Sequence, residues 1–307
     1  MKSVEVINVQ KSFKAEKSFV TALHDISFDV EKGELFGLIG PDGAGKTTLF
    51  RILTTLMIAN KGRASVDGFD VIKDFKEIRK RVGYMPGKFS LYQDLSVEEN
   101  LSFFATLFNT SIKENCALIK DIYIQIEKFK NRKAGALSGG MKQKLALCCA
   151  LIHKPSVLFL DEPTTGVDAV SRQEFWELLR QLQKQDITIM VSTPYMDEAG
   201  LCDRVALIQQ GSILDIDSPR GITEKLGRTL WAAKGAEMFS LMNELKSLDQ
   251  VFSCFPFGQE HHVIFKDDNQ SIDEILAYLK GKGLVDVQLK KTKATIEDCF
   301  MKLMTSL

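Results

Sequence analysis

A chain of 307 residues, 45% hydrophobic and 26% charged, has an ordinary globular composition and suits one large domain plus a smaller one. Its 40 basic and 40 acidic residues cancel, which excludes a long-range field toward nucleic acid, and no nucleic-acid partner is expected. The longest wholly apolar run, Leu145 to Ile152, falls far short of the roughly 18 residues of a spanning helix. Met1-Lys2-Ser3 leads into a strand pattern, Val4 to Ile7, rather than a signal peptide. Six cysteines without C-x-x-C spacing read as reduced, cytosolic thiols.

Alternating strand patterns fill residues 3 to 36, an antiparallel flank with turns such as Lys32-Gly33. The apolar strand Leu35 to Ile39 then meets Gly40-Pro41-Asp42-Gly43-Ala44-Gly45-Lys46-Thr47-Thr48, which matches G-x-x-x-x-G-K-[ST] in full. A helix-like run, Thr47 to Met57, follows. In that strand–loop–helix setting, backbone N–H groups and the helix N-terminus cradle phosphates. Lys46 is expected along the β/γ oxygens and Thr47 on Mg²⁺. Asp67-Gly68 reads as a hairpin turn, and Ser96 with Glu99 as a capping box that starts a helix at Val97. Residues 88 to 150 read as helical, with Phe103, Phe104, Leu107 and Phe108 supplying an apolar face.

Within that stretch lies Leu137-Ser138-Gly139-Gly140-Met141, followed by Lys142-Gln143. A serine and two glycines at a helix start expose N–H groups and a hydroxyl to an anion. The local phosphates already have a loop of their own, so this second anion site is expected to face the nucleotide of another subunit. Val157 to Leu160 is an unbroken apolar run ending in Asp161-Glu162-Pro163, a buried parallel strand that presents acids at its C-terminal end. Asp161 is expected to orient Mg²⁺ through its water shell, and Glu162 to polarise the attacking water. Helix 171–184, strand 187–192 and strand 204–209 close the α/β sheet.

Asp217-Ser218-Pro219-Arg220-Gly221 punctuates the chain as a linker. Beyond it the order is strand 229–233, helix 236–247, strand 250–256, strand 260–266, helix 271–282, strand 284–290 and helix 295–304. The first six elements make a β-α-β-β-α-β, ferredoxin-like arrangement. Ser271 with Glu274, and Thr295 with Asp298, mark two helix starts. His261 and His262 are adjacent at a strand start, point to opposite faces and cannot chelate a metal together.

These motifs, in this order, resemble the ATP-binding subunit of an ABC transporter, most like those of type-2 exporters. The resemblance covers nearly the whole chain. It implies an α/β P-loop nucleotide-binding domain over 1–220, with an antiparallel flank and a helical subdomain near 88–150. A small C-terminal α+β accessory domain, 221–307, follows. Phe13 falls where the family stacks an aromatic on adenine. Thr165-Gly166-Val167-Asp168 resembles the D-loop that touches a partner subunit, and Tyr92 to Leu101 the start of the helical subdomain. The terminal run, Thr295 to Leu303, resembles the last helix of type-2 exporter subunits. In the family, two subunits sandwich two ATP molecules, each between one subunit's phosphate loop and the other's Ser138–Gly140 counterpart. The resemblance implies ATP and Mg²⁺, membrane-spanning partner subunits, and a place on the inner face of the plasma membrane.

Two family residues are missing. Gly87 stands where a Gln usually contacts Mg²⁺ and the water, and Pro194 where a His usually contacts the γ-phosphate. Neither replacement can donate there, and losing one positioned group costs on the order of 10²–10³ in rate. ATP binding is expected to survive and own-site hydrolysis to be slow. Both losses fall in the half-site for this chain's own ATP, while Ser138–Gly140 and Asp168 remain intact, so a heterodimer with a second ATPase subunit is favoured over a homodimer. An ATP-binding regulatory subunit with little turnover is the alternative. A soluble ATPase acting on ribosomes or DNA is opposed by the neutral charge and the single nucleotide domain.

Overall fold

The computed structural model describes residues 1–14, 18–88, 90–114 and 116–305. Residues 15–17, inside the predicted strand stretch, and 89 and 115, inside the predicted helical stretch, lie outside the described residues. The chain divides into two units, Met1–Pro219 and Arg220–Leu307.

In the first unit β1 (Lys2–Lys14) and β2 (Phe19–Glu31) pair, and β3 (Leu35–Ile39) leads into α1 (Lys46–Leu53). Then come β4 (Lys61–Val66), β5 (Phe69–Asp70), α2 (Phe75–Arg81) and β6 (Val82–Met85). A helical segment holds α3 (Val97–Leu107), α4 (Cys116–Tyr123) and α5 (Gly139–Leu151). After it run β7 (Val157–Asp161), α6 (Ala169–Gln183), β8 (Thr188–Thr193), β9 (Arg204–Gln209) and β10 (Ser212–Asp217). α7 (Pro219–Glu224) straddles the division between units.

One sheet is antiparallel, in the order β2-β1-β4-β5. The other runs β10-β9-β3-β8-β7-β6, and all of it except the β9–β10 hairpin is parallel. β3, β7 and β8 are buried along their whole length, as parallel strands covered on both faces must be. The core fills the space between the sheets and around α1. There Phe28 stacks on Phe36 at 5.4 Å, and Phe50 meets the Phe159 edge at 5.5 Å.

Local signals read from sequence recur where chemistry fixes them. Ser96 and Glu99 form a reciprocal capping box at the start of α3. Asp67 and Gly68 both take positive φ in the β4–β5 turn, as a two-residue hairpin of this hand requires.

Four expectations are corrected. The helix after the phosphate loop stops at Leu53 rather than Met57, because Thr55 turns left-handed (φ 63°) and Arg79 holds it through Nε and Nη2. Residues 88 and 90–96 are not helical, and 124–138 are mainly turns with two short 3-10 segments. The buried face of α3 is Val97, Asn100, Leu101 and Ala105, whereas Phe103 and Leu107 are exposed. Strand β10 and helix α7 were not expected. β10 pairs only with β9, and Pro219 opens α7, where its missing N–H costs nothing.

The second unit contains β11 (Leu230–Lys234), α8 (Met238–Ser247), β12 (Val251–Phe257) and β13 (Glu260–Phe265). α9 (Ile272–Gly281), β14 (Gln288–Thr292) and α10 (Ile296–Thr305) complete it. Its antiparallel sheet has the order β12-β13-β11-β14, the ferredoxin-like arrangement. Ala233, Val263 and Phe265 pack against Leu241 and Leu245 of α8 and Ile275 and Leu279 of α9. His261 and His262 point to opposite faces, as the strand pleat dictates. His261 bonds the Met238 carbonyl at 2.7 Å, while His262 Nδ1 bonds Asp298 Oδ1 at 2.5 Å. Both members of the His262–Asp298 pair are buried, and Asp298 Oδ2 also accepts from the Thr295 N–H and hydroxyl at the start of α10.

That shared carboxylate pins α10 to the sheet. Asp298→Ala strands a buried imidazole and removes a cap, so it is expected to destabilise this unit by about 2–4 kcal/mol. The chain has 2 Trp, so in a Trp176→Phe background Trp231 fluorescence reports the second unit alone during denaturation. An unshifted midpoint would contradict the pinning.

Candidate nucleotide site

The phosphate loop begins where β3 ends. The Gly40 N–H donates to the Thr193 carbonyl at 3.2 Å, fastening the loop to the end of β8. Gly45 caps α1 in a left-handed conformation (φ 104°), and a Cβ there would lie 2.6 Å from the Ala22 carbonyl, so only glycine fits. No side chain caps α1 and no acid sits in its first turn, which leaves its N–H groups and dipole available to an anion. Asp42 and Gly43 are exposed, Pro41, Gly45, Thr47 and Thr48 half-buried, and Ala44 buried.

Lys46 is 3% exposed and folds back along the loop. Its Nζ donates to the Gly40 and Pro41 carbonyls at 2.8 and 3.0 Å and lies 3.1 Å from Glu162 Oε1. Asp161, 2% exposed at the end of β7, accepts from Ser192 Oγ at 2.6 Å. Glu162 is left-handed (φ 50°), uncommon for a residue with a side chain, and its N–H donates to the Ser192 carbonyl and hydroxyl at 3.0 and 3.1 Å. Tyr84 on neighbouring β6 has its phenol pushed up to about 12, by burial first and then by the Asp161 charge. The ring therefore stays neutral beside the acid. Uncapped N–H groups, a buried lysine, a hydroxyl at Thr47 and a buried carboxylate form a set that fits a nucleotide phosphate with Mg²⁺.

Gly87 lies beside these acids. A Cβ on it would sit 3.0 Å from the Asp161 carbonyl and 3.7 Å from Glu162 Cβ. The Gln93 side chain lies beside Gly135, whose N–H donates to the Gln93 backbone carbonyl at 2.9 Å. Pro194, half-buried, follows Thr193 with no polar side-chain atom of its own. The segment after it is nonetheless held. Buried Glu198 accepts from Thr193 at 2.5 Å and from Thr164 at 2.7 Å, with Arg172 Nε 3.9 Å away. That carboxylate joins the Pro194 segment to the loop leading to Asp168. Sequence reading missed Ser192, Thr164, Thr193 and Glu198; the one available signal was hydroxyls closing an otherwise apolar strand.

Ser138 and Asp168 start neighbouring helices. Ser138 Oγ accepts from the Met141 N–H at 3.4 Å and caps α5; Asp168 accepts from the Ser171 N–H at 3.0 Å and caps α6. That N–H holds the Asp168 carboxyl below its ordinary range. A Cβ on Gly139 would lie 3.4 Å from the Gly166 carbonyl, and one on Gly140 2.7 Å from Ser171 Oγ. The serine–glycine motif and the Thr165–Asp168 loop thus form a second cluster, with Ser138 and Gly139 exposed. Phe13 is 39% exposed on β1, with Lys11 Nζ 5.4 Å from its ring, on the hairpin whose Ala22 backs Gly45. Cys148 and Cys149 are buried in α5 with thiol pKa values pushed up by desolvation, as packing residues.

The family described as "ABC transporter" matches residues 23–165. The Nod factor export ATP-binding protein I of Burkholderia lata is 38% identical over 304 residues, 98% of this chain and 96% of that protein. The probable multidrug ABC transporter ATP-binding protein YbhF of Escherichia coli is 37% identical over 288 residues. That match covers 92% of this chain but 49% of YbhF, so the chain spans about half the length of this relative. A dimeric ATP-binding cassette in a post-hydrolysis state, bound to ADP and Pi, superposes with a TM-score of 0.64 at 25% identity, over 70% of this chain and 98% of that one. Similarly, cbiO1 from Clostridium perfringens, part of the cbiONQ transporter complex, gives 0.64 at 26% identity, over 73% and 92%. With a relative matched almost end to end and the phosphate loop, acid strand and second cluster in place, the chain belongs to the ABC transporter family as one of its ATP-binding ATPase chains.

Proposed function

We propose that this chain is the ATP-hydrolysing, energy-coupling subunit of a membrane exporter, with a slow site at its own phosphate loop. The observation that carries the reading is the convergence of Lys46, Asp161 and Glu162 beside two positions, Gly87 and Pro194, that offer no side-chain donor. Nucleotide phosphates compete with Glu162 for Lys46, so binding frees the carboxylate from its 3.1 Å ion pair. Lys46 then lies along the β/γ oxygens, Thr47 and Asp161 hold the metal shell, and Glu162 accepts a proton from water. Phe13 stacks on the base. Mg²⁺, when bound, supplies neutralisation of phosphate charge.

Ser138, Gly139, Gly140 and Asp168 complete the ATP site of a second subunit. The exposure of Ser138, Gly139 and Asp168, with every half-site deficit confined to the other cluster, supports a heterodimer over a homodimer. The chain works peripherally on the cytoplasmic face of the plasma membrane beside membrane-spanning subunits, which dock near Gly87 and the helical segment. None of its described helices is long and apolar enough to cross a membrane. The Nod factor export relative and the probable multidrug transporter relative support the exporter assignment. The second unit serves a regulatory or dimerising role. A second reading, a regulatory subunit whose nucleotide occupancy matters more than turnover, is favoured by the same absent donors at 87 and 194.

Restoring the donors tests the slow site. Gly87→Gln combined with Pro194→His is expected to raise steady-state hydrolysis by about 10- to 100-fold, since one positioned group is worth on the order of 10²–10³ and residue 87 must first yield a few tenths of an ångström. A double variant no faster than the parent, with ATP binding intact, argues that the missing side chains do not limit turnover. Gly45→Ala is expected to weaken ATP binding at least about tenfold by calorimetry, because the Cβ collides with backbone and the φ is strained. Parental affinity in that variant would contradict the cradle.

A further inference from the structure

Among the described strands, β8 lies between the strand that enters the phosphate loop and the strand that ends in the acids. It pairs with β3 on one side and β7 on the other, with Ser192 opposite Leu38 and Asp161. Ser192 is fully buried, at 0% exposure. A hydroxyl has one proton and two acceptor positions. Here the proton goes to Asp161 Oδ1 at 2.6 Å, and an acceptor position takes the Glu162 N–H at 3.1 Å. The same N–H is shared with the Ser192 carbonyl at 3.0 Å, so one residue accepts the Glu162 amide twice while fixing the Asp161 carboxylate.

Both consequences matter for the acids. The donated proton holds the Asp161 carboxylate in one rotation and leaves Oδ2 directed elsewhere; among the described residues no hydrogen bond to Oδ2 is found. The doubly accepted amide holds Glu162 in its left-handed conformation, and with it the direction of the side chain toward Lys46. We propose that Ser192 is a positioning residue that sets Asp161 for the metal shell and Glu162 for the attacking water through one hydroxyl. The inference rests on the reading of those two acids given above. It adds that metal-linked ATP affinity depends on a group that touches neither metal nor nucleotide. Partners of metal-binding carboxylates commonly contribute about 10- to 100-fold in metal affinity.

The test is ATP binding to the full chain by calorimetry, in excess EDTA and in saturating Mg²⁺, for the parent, Ser192→Ala, Ser192→Cys and Ser192→Thr. The parent is expected to bind more tightly with Mg²⁺. Ser192→Ala should lose about tenfold of that Mg²⁺-dependent gain while its affinity in EDTA stays within about twofold. Ser192→Thr, which keeps the hydroxyl, should restore most of the gain, and Ser192→Cys should fall between. If Ser192→Ala fails to fold, Ser192→Cys carries the comparison. An unchanged Mg²⁺ gain in the Ala and Cys variants overturns the proposal, and so does an equal loss with and without Mg²⁺, which marks a packing role. A parent with no Mg²⁺ gain at all overturns the reading of Asp161 itself, and the positioning role with it.

Discussion

Because β8 is hydrogen-bonded to β3 on one side and to β7 on the other, the phosphate loop and the two acids emerge at the same edge of the parallel sheet. Everything at the site depends on that shared edge. The Gly40 N–H is fastened to Thr193, Asp161 and Glu162 to Ser192, and Lys46 crosses from one strand end to the other to meet Glu162. Ion pairs of this kind, with one partner buried and one partly exposed, are held by geometry more than by net Coulombic gain. In the function proposed, phosphate oxygens replace the Glu162 carboxylate at Lys46, keeping a negative charge at the buried ammonium and freeing Glu162.

The two clusters divide the chemistry. One contains the loop, the lysine and the acids, with nothing but Gly and Pro at positions 87 and 194. The other joins the serine–glycine motif to the Asp168 loop through close approaches that only glycine permits at Gly140. Buried Glu198 connects them in space, bonding Thr193 beside Pro194 and Thr164 before Asp168. A carboxylate at 1% exposure needs such partners, and breaking them would leave a costly buried charge. The segment that lacks the family's His is thus kept in register with the loop that leads to Asp168.

What could be read from the sequence was chemistry confined to a few neighbouring residues. The phosphate loop, the acids after an apolar strand, the capping boxes at Ser96 and Thr295, and the opposite faces of His261 and His262 follow from local rules. What could not be read depends on packing between distant segments. The buried stripe of α3 is Val97, Leu101 and Ala105 rather than its phenylalanines, because what α3 packs against, not side-chain size, decides which face turns inward. β10 exists through pairing with β9, and α1 ends early because Arg79, far along the chain, holds Thr55. Ser192 and Glu198 carry no spacing signature at all; their roles arise from strand order.

In the function proposed, the chain holds ATP at Lys46, Thr47 and Asp161, turns it over slowly and lends Ser138 to a partner's site. The most direct measurement is steady-state Mg·ATP hydrolysis by the purified chain, with ATP binding measured in parallel and Glu162→Gln as the blank. Saturable binding with turnover close to the blank is the predicted result. Brisk turnover of the chain alone, abolished by Glu162→Gln, would contradict the claim and make a self-sufficient homodimeric motor the better account.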